Sequence, residues 1–275
     1  MYVPAPHKPF LHRLARRWAW KIGEGFATLL SKARGFRLPD EPLQPFLHKI
    51  PMLLGTYERE TVRLLKSLVR PGMTVIDGGA HAGYFTRVLS RLVGPAGKVF
   101  AFEIHPQTLK LLHHNTRSLR NVVVIPAALG AKDGRATIYQ SDGLSSSHSA
   151  TATKPGLKPT TQIPMRSISS VLAEHGLSGA DFIKLDIEGG EPSVLRTLPD
   201  RPTTVIFEVK RYILEAGGET PEQLMQQLID RGFILSCVGG QTISPDALCT
   251  RNKALEKANV LAIHPGRAAE HLLDQ

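Results

Sequence analysis

A doubly wound, mostly parallel α/β sheet with helices on both faces is the fold the sequence predicts, and three observations predict it. From about residue 57 onward, unbroken apolar runs alternate with stretches of helical spacing. A glycine-rich turn, Asp77-Gly78-Gly79-Ala80-His81-Ala82-Gly83, follows the first of these runs. An acid, Glu103, closes the second. Strands buried on both faces read as continuous apolar runs, and helical crossovers make their neighbours parallel.

Each element has its own signal. Residues 55–69 place Val62, Leu65 and Val69 on one helical face. Residues 73–77 form a short β-branched run ending at Asp77, and helical spacing over 84–93 stops at Gly94-Pro95. Residues 97–103 give the second strand. Pro106 then opens a helix over 106–119, where a missing N–H costs nothing. Residues 121–127 read as a third strand and 135–140 as a short local one. Residues 141–162 are rich in Ser, Thr, Gly and Pro without any period, and read as a long loop. Such a loop is expected to cover a ligand pocket and to order on binding. Residues 181–187 and 203–209 are buried strands with a helix between them. Residues 221–232 are helical, and 233–239 and 258–264 are closing strands. The architecture is Rossmann-like.

Residues 1–50 stand apart as a basic amphipathic extension with a Pro-rich connector, and 51–275 are expected to form the main domain. Leu11, Leu14, Trp18, Ile22, Phe26, Leu29 and Leu30 recur at helical steps, with Arg13, Arg16, Arg17 and Lys21 mostly off that face. Two readings are open: the apolar face caps the main domain, or it gives a peripheral membrane contact through residues 10–30. The net charge is +10, and residues 1–40 hold eight Lys/Arg against Glu24 and Asp40, a surplus of 8 − 2 = +6. The main domain therefore keeps only 10 − 6 = +4, too little for an extended nucleic-acid groove, so no nucleic-acid partner is expected. Cys237 and Cys249 form no disulfide framework or metal-ligand pair. No run approaches the roughly 18 apolar residues of a spanning helix, and the N-terminus lacks a signal-peptide pattern. A cytoplasmic location, with optional attachment at the inner membrane surface, is the expectation.

The glycine turn lies at the carboxyl end of a parallel strand, where open α/β sheets bind ligands. Glycine there serves either a tight packing turn or the close approach of a ligand to the backbone. Asp77-x-Gly79-x-x-x-Gly83 lacks the glycine spacing of a dinucleotide fingerprint, which counts against an NAD-dependent oxidoreductase. Asp77 beside the loop would repel a pyrophosphate and suits a cationic tail. Glu103, 20 residues after Gly83, is placed for ribose hydroxyls. A ribose at one end and a sulfonium or ammonium at the other describe S-adenosylmethionine.

The turn from Asp77 to Tyr84 resembles the first motif of class I methyltransferases. Five stretches, GTYERE, VIDGGAHAGYFT, GKVFAFEIHP, NVVVIPAALG and DFIKLDIEGGE, occur in the order and spacing of the FkbM family. The resemblance covers roughly residues 55–209. Where that family carries a Leu-Asp pair before the fourth strand, this chain has Ile168-Ser169. The resemblance implies the class I methyltransferase fold and O-methylation of a hydroxyl on a sugar, glycolipid or secondary metabolite. The acceptor would be a small molecule, a glycan or a lipid-linked compound. It also implies a cofactor set of Asp77, Gly78, Gly79, Gly83, Tyr84, Glu103, Ile104, Ala128 and Asp186. In that carry-over Ile104 and Ala128 lie by the adenine, and Asp186 faces the cofactor's amino group or the acceptor.

An alcohol acceptor loses a proton, so a general base is needed. Asp186, Glu188, Glu191 and Glu208 lie near the ends of adjacent strands, and Asp186, Glu208 and His81 are the candidate catalytic groups. Glu191, with Pro192 behind it, fits a first helical turn. A divalent cation on these acids is a third reading, but the spacing fixes no coordination shell and no metal ligands are assigned. His113 and His114 read as surface residues. A catalytically degenerate module that binds S-adenosylmethionine without turnover is the remaining alternative.

Overall fold

The computed structural model describes residues 10–38, 48–141, 148–149, 157–198, 203–238, 242–243 and 255–264. The chain falls into two units, 1–59 and 60–275, so the division lies beyond the 50/51 boundary drawn from sequence.

The first unit holds α1 (Phe10–Arg34) and α2 (Ile50–Leu54). The amphipathic pattern over 11–30 is thus one continuous helix, extended by a turn. Gly23 and Ala27 are buried, and Lys49 Nζ, just before α2, donates to both carboxylate oxygens of Glu24 at 2.9 and 3.0 Å.

The second unit begins with α3 (Arg59–Leu68), β1 (Thr74–Gly78), α4 (Tyr84–Val93), β2 (Lys98–Phe102), α5 (Pro106–Thr116) and β3 (Val122–Ile125). Next come β4 (Ala128–Leu129), β5 (Gly134–Ser141), β6 (His148–Ser149), β7 (Leu157–Arg166) and α6 (Ile168–Glu174). The chain returns through β8 (Phe182–Leu185), α7 (Glu191–Leu195), β9 (Thr204–Lys210), α8 (Arg211–Ala216) and α9 (Pro221–Asp230). It closes with β10 (Ile234–Cys237), β11 (Thr242–Ile243) and β12 (Lys257–Ile263).

One sheet has the order β11-β10-β12-β9-β8-β1-β2-β3. The strands from β9 through β8, β1 and β2 to β3 pair in parallel, and β12, β10 and β11 run antiparallel at one end. The chain winds outward through β2 and β3, then crosses back to the far side of β1. The switch point therefore lies between β1 and β8, beside the glycine turn. Alternate residues of each strand face opposite layers. Ile76, Phe100, Ile183 and Phe207 pack with Val171, Leu195 and Leu224 of α6, α7 and α9. Val75, Val99, Phe182 and Ile206 pack with Leu65, Leu89 and Val93 of α3 and α4. Each fully buried side chain of this size contributes about 1.5–3 kcal/mol.

The expected loop at 141–162 is corrected. Ser141 ends β5, 148–149 form β6, and 157–162 belong to the ten-residue β7. With β4 they make a second sheet in the order β4-β7-β5-β6. Residues 142–147 and 150–156 of the expected lid lie outside the described residues. The Ile168-Ser169 pair opens α6, where the Ser167 side chain caps the helix by accepting from Ser170 N–H at 3.1 Å.

Candidate active site

The β1–α4 turn is built by short backbone contacts. Gly79 and Ala80 N–H both donate to Phe102 C=O, at 3.1 and 2.8 Å, and Asp186 N–H donates to Gly78 C=O at 3.0 Å. These bonds bring the ends of β2 and β8 against β1. Gly79 has φ +74°, and a Cβ there would sit 1.9 Å from Asp186 C=O. The glycine is thus required by packing of the turn on the next strand, as well as by its left-handed backbone. Gly83 (φ +87°) precedes α4, and a Cβ there would meet Leu112 at 2.9 Å. Asn115 Nδ2 clamps the same turn by donating to Ala82 C=O at 2.8 Å.

Asp77 is fully buried. Its Oδ2 accepts from Thr86 Oγ1 at 2.6 Å, its Oδ1 has no hydrogen-bond partner, and Lys184 Nζ lies 3.9 Å from Oδ1. Burial raises its pKa, against the pull of Lys184 and Thr86. Asp77 therefore holds α4 to β1 and balances Lys184. The same ammonium stands 3.8 Å from Asp186 Oδ2 and 5.0 Å from the Phe85 ring centre. Sequence reasoning missed Lys184. Its signal is a charged residue inside the otherwise apolar strand 182–185, paired in register with Asp77.

Glu103 is also buried, and its carboxylate organises backbone. Oε1 accepts from Ile104 and His105 N–H at 2.8 Å each, and Oε2 accepts from His81 N–H at 2.7 Å. With three acceptor positions used, Oε2 keeps capacity for one more donor. His81 has φ +51° and lies near enough to Asp186 to act on it electrostatically. Tyr84 is half-buried at the start of α4, edge-on to Phe85 at 5.1 Å. Ile104 is half-buried. Ala128 is buried on β4, paired with Met165 of the second sheet, and its neighbour Leu129 reaches toward Gly78. His113 is exposed and His114 half-buried.

Beyond β8 the acids separate into roles. Glu191 is buried in the first turn of α7, where Oε1 accepts from Ile187 N–H and Oε2 from Gly189 N–H, both at 2.7 Å. Burial pushes its pKa up to about 7. It shapes the turn, in which Glu188 has φ +52°. Asp186, Glu188 and Glu208 converge, with a carboxylate oxygen of each within 4.8 Å of the others. Lys210 Nζ enters the cluster at 2.9 Å from Glu188 Oε1 and 2.5 Å from Glu208 Oε2. It supplies there the positive charge that a divalent cation would otherwise bring. Desolvation works to raise Asp186, but Lys184, Lys210 and a hydrogen bond to Glu208 outweigh it and hold that carboxyl below its usual value. Desolvation and the Asp186 charge push Glu208 up to about 7, against Lys210. Of the two, Glu208 is therefore the one that holds a proton near neutrality, beside a charged Asp186. A small crevice reaches Glu188, Glu208 and Lys210, and it shares Gly189, Ile213 and Leu214 with a surface groove of about 620 Å³ between α7, α8 and α9.

Residues 77–235 match the model of the methyltransferase FkbM domain. The chain belongs to the FkbM methyltransferase family. Family membership sets aside the NAD-dependent oxidoreductase and makes S-adenosylmethionine the cofactor. Among curated relatives, "Methyltransferase 1" of Beauveria bassiana is 26% identical over 195 residues, 62% of this chain and 76% of that one. The catalytic subunit of a tRNA (adenine(58)-N(1))-methyltransferase from Yarrowia lipolytica is 35% identical over 121 residues, 42% of this chain and 29% of that one. Among solved structures, an S-adenosylmethionine-dependent O-methyltransferase from Thermotoga maritima has a TM-score of 0.45 at 16% identity, covering 77% of this chain and 66% of its own. Aeropyrum pernix fibrillarin, solved with bound S-adenosylmethionine, has a TM-score of 0.43 at 16% identity, covering 74% of each chain. These structural likenesses carry nothing about the acceptor.

The FkbM site suits its cofactor. The turn at Gly79 and Gly83 lies between two acids, Glu103 at the end of β2 and Asp186 at the end of β8. One acceptor position on Glu103 suits a ribose hydroxyl. The Asp186 side chain, 45% exposed, suits an ammonium. The start of α4 carries no side-chain cap and suits a carboxylate.

Proposed function

We propose that this methyltransferase methylates a hydroxyl oxygen, with Glu208 as the proton acceptor and Asp186 beside it. The paired carboxyls of Asp186 and Glu208 carry this reading. An amine acceptor can attack with its lone pair, whereas a neutral hydroxyl needs a partner that takes its proton. The cofactor supplies a methyl group activated on a sulfonium sulfur, which a hydroxyl oxygen displaces as its own proton leaves. Glu208, raised to about 7, is charged often enough at neutral pH to take that proton and basic enough to hold it. Asp186 stays charged, keeps the proton on Glu208 after transfer, and reaches toward the cofactor side. Lys210 fixes the Glu208 carboxylate. His81, with its backbone bonded to Glu103, positions the turn in this scheme and is not the base. Orientation of the acceptor supplies the larger part of the rate, roughly 7–11 kcal/mol.

The groove leading to Glu208 is the acceptor's route, and sugars, glycolipids or hydroxylated secondary metabolites are the classes proposed. The test incubates the protein with methyl-labelled S-adenosylmethionine and fractionated glycans, lipids and metabolites. Label recovered as a methyl ether supports the proposal. Label on nitrogen, or none above a Glu208→Gln control, overturns it.

A further inference from the structure

Among the described residues, the exposed large apolar side chains concentrate on one helix. Trp18, Ile22, Phe26 and Leu29 of α1 are 60%, 66%, 49% and 65% exposed. At about 100° per residue these four fall within an arc of about 80°, so they form one stripe along roughly three turns. Gly23 and Ala27, outside that arc, are buried, and Trp20, also off the stripe, is 38% exposed. The stripe is not the face that α1 uses for packing.

The charge beside the stripe has one sign. Lys21 and Lys32 lie on one flank, about 40–60° from Trp18 by the same geometry. Both are exposed, as are Arg34 and Arg37, and Lys21 Nζ lies 5.7 Å from the Trp18 ring centre. The single acid of α1, Glu24, points away from the stripe and is held by Lys49. A water-facing helix of ordinary design puts these apolar groups inward, and no described helix is apolar enough to cross a membrane.

We propose that this face of α1 binds an anionic lipid surface in plane. Trp18, Ile22, Phe26 and Leu29 enter the boundary between headgroups and acyl chains, and Lys21 and Lys32 meet lipid phosphates and carboxylates. A second copy of the chain fits the stripe less well. It would bring two more lysines to the junction with no acid to meet them. Attachment would hold the enzyme where lipid-linked hydroxyl acceptors are concentrated, but the binding stands without that consequence.

The chain offers a clean probe, because its two tryptophans, Trp18 and Trp20, both lie on α1. The experiment mixes the full chain with phosphatidylcholine vesicles, with and without phosphatidylserine, and records tryptophan emission and co-sedimentation. A blue shift and co-sedimentation with the anionic vesicles, weakening with salt, are expected. Lys21→Gln with Lys32→Gln should weaken binding about 25-fold, at about fivefold per lysine. Ile22→Glu with Phe26→Glu should abolish it. All four positions are exposed, and circular dichroism checks that each variant keeps its helicity. The lysine pair leaves the apolar stripe intact and keeps the test alive if the other pair misfolds. No binding to anionic vesicles, or equal and salt-insensitive binding to both vesicle types, overturns the proposal. So does a blue shift without vesicles that grows with protein concentration alongside dimer formation, which assigns the stripe to a second copy.

Discussion

Single residues at this site do more than one task. Glu208 is half-buried on β9, next to a charged Asp186 and a lysine. Activity should rise with pH through about 7, because the deprotonated pair accepts the acceptor's proton. Glu208→Gln should lower kcat by about 10²–10⁴ and remove that rise. Lys210→Met removes the charge that lowers Glu208, so its limb should move to higher pH, and pH–rate profiles of the three proteins check both statements. Gly79 is the second residue to test. An alanine there puts a Cβ 1.9 Å from Asp186 C=O at φ +74°. Backbone strain alone costs about 1–3 kcal/mol, and the steric overlap adds to it. Gly79→Ala should lower the melting temperature and weaken S-adenosylhomocysteine binding together, read by differential scanning calorimetry and by titration. The glycines, Glu103 and the acids after β8 were legible from residue type and strand-end position. Lys184 and Lys210 were not, since a lysine inside a strand or at its end looks like a tolerated exception until the fold places it opposite Asp77 or beside Glu208. Nor could spacing show that Glu103 spends most of its acceptor capacity on backbone N–H groups.

At the level of elements, the β8–α7 turn joins the cofactor side to the acid pair. Its backbone is strained at Glu188 and held by Glu191, a buried carboxyl that accepts two N–H bonds. Glu191 is raised from 4.5 to about 7 in the folded chain. A raised carboxyl binds a proton more tightly folded than unfolded, so it favours the fold below about 4.5, and that contribution is lost as pH rises through 7. Glu191→Gln should flatten the fall in stability between those pH values. It should also cost about 1–3 kcal/mol, since an amide oxygen serves one of the two N–H groups and leaves the other unmet. Urea unfolding across that range checks the slope and the offset; an unchanged slope would place the titration elsewhere. The second sheet shows why one element escaped the sequence. Pro159 and Pro164 argue against a strand, yet both lie in β7. Among the described residues β4 pairs only with Met165 and Arg166, so along most of its length one edge of β7 has no described strand partner, and proline is tolerated on such an edge. A shift in register at Ile138/Tyr139 accommodates the other edge.

For the whole molecule, the long-range order was the most legible part. Unbroken apolar runs marked the parallel strands, and the position of the glycine turn marked the switch point. The antiparallel end made by β12 and β10 had no comparable signal, because the apolar run of a closing strand reads the same in either direction. The site draws on β1, β2, β8 and β9 and their loops, so its ligand contacts exist only when the sheet has formed. A ligand that binds the folded chain alone stabilises it by RT ln(1 + [L]/Kd), about 2.7 kcal/mol at a hundredfold excess over Kd. For a chain of roughly this size, 1 kcal/mol moves the melting temperature by about 2–4 °C. S-adenosylhomocysteine at that excess should therefore raise it by about 5–11 °C. NAD at the same concentration should leave it unchanged, because the glycine spacing builds no pyrophosphate cradle and both strand-end acids repel one. Glu103→Ala separates two contributions within this measurement. Loss of three backbone acceptor bonds lowers the melting temperature without ligand, and loss of the ribose partner shrinks the ligand-induced rise. A lower starting temperature with an undiminished rise would leave Glu103 a purely structural carboxylate and move the ribose to another partner.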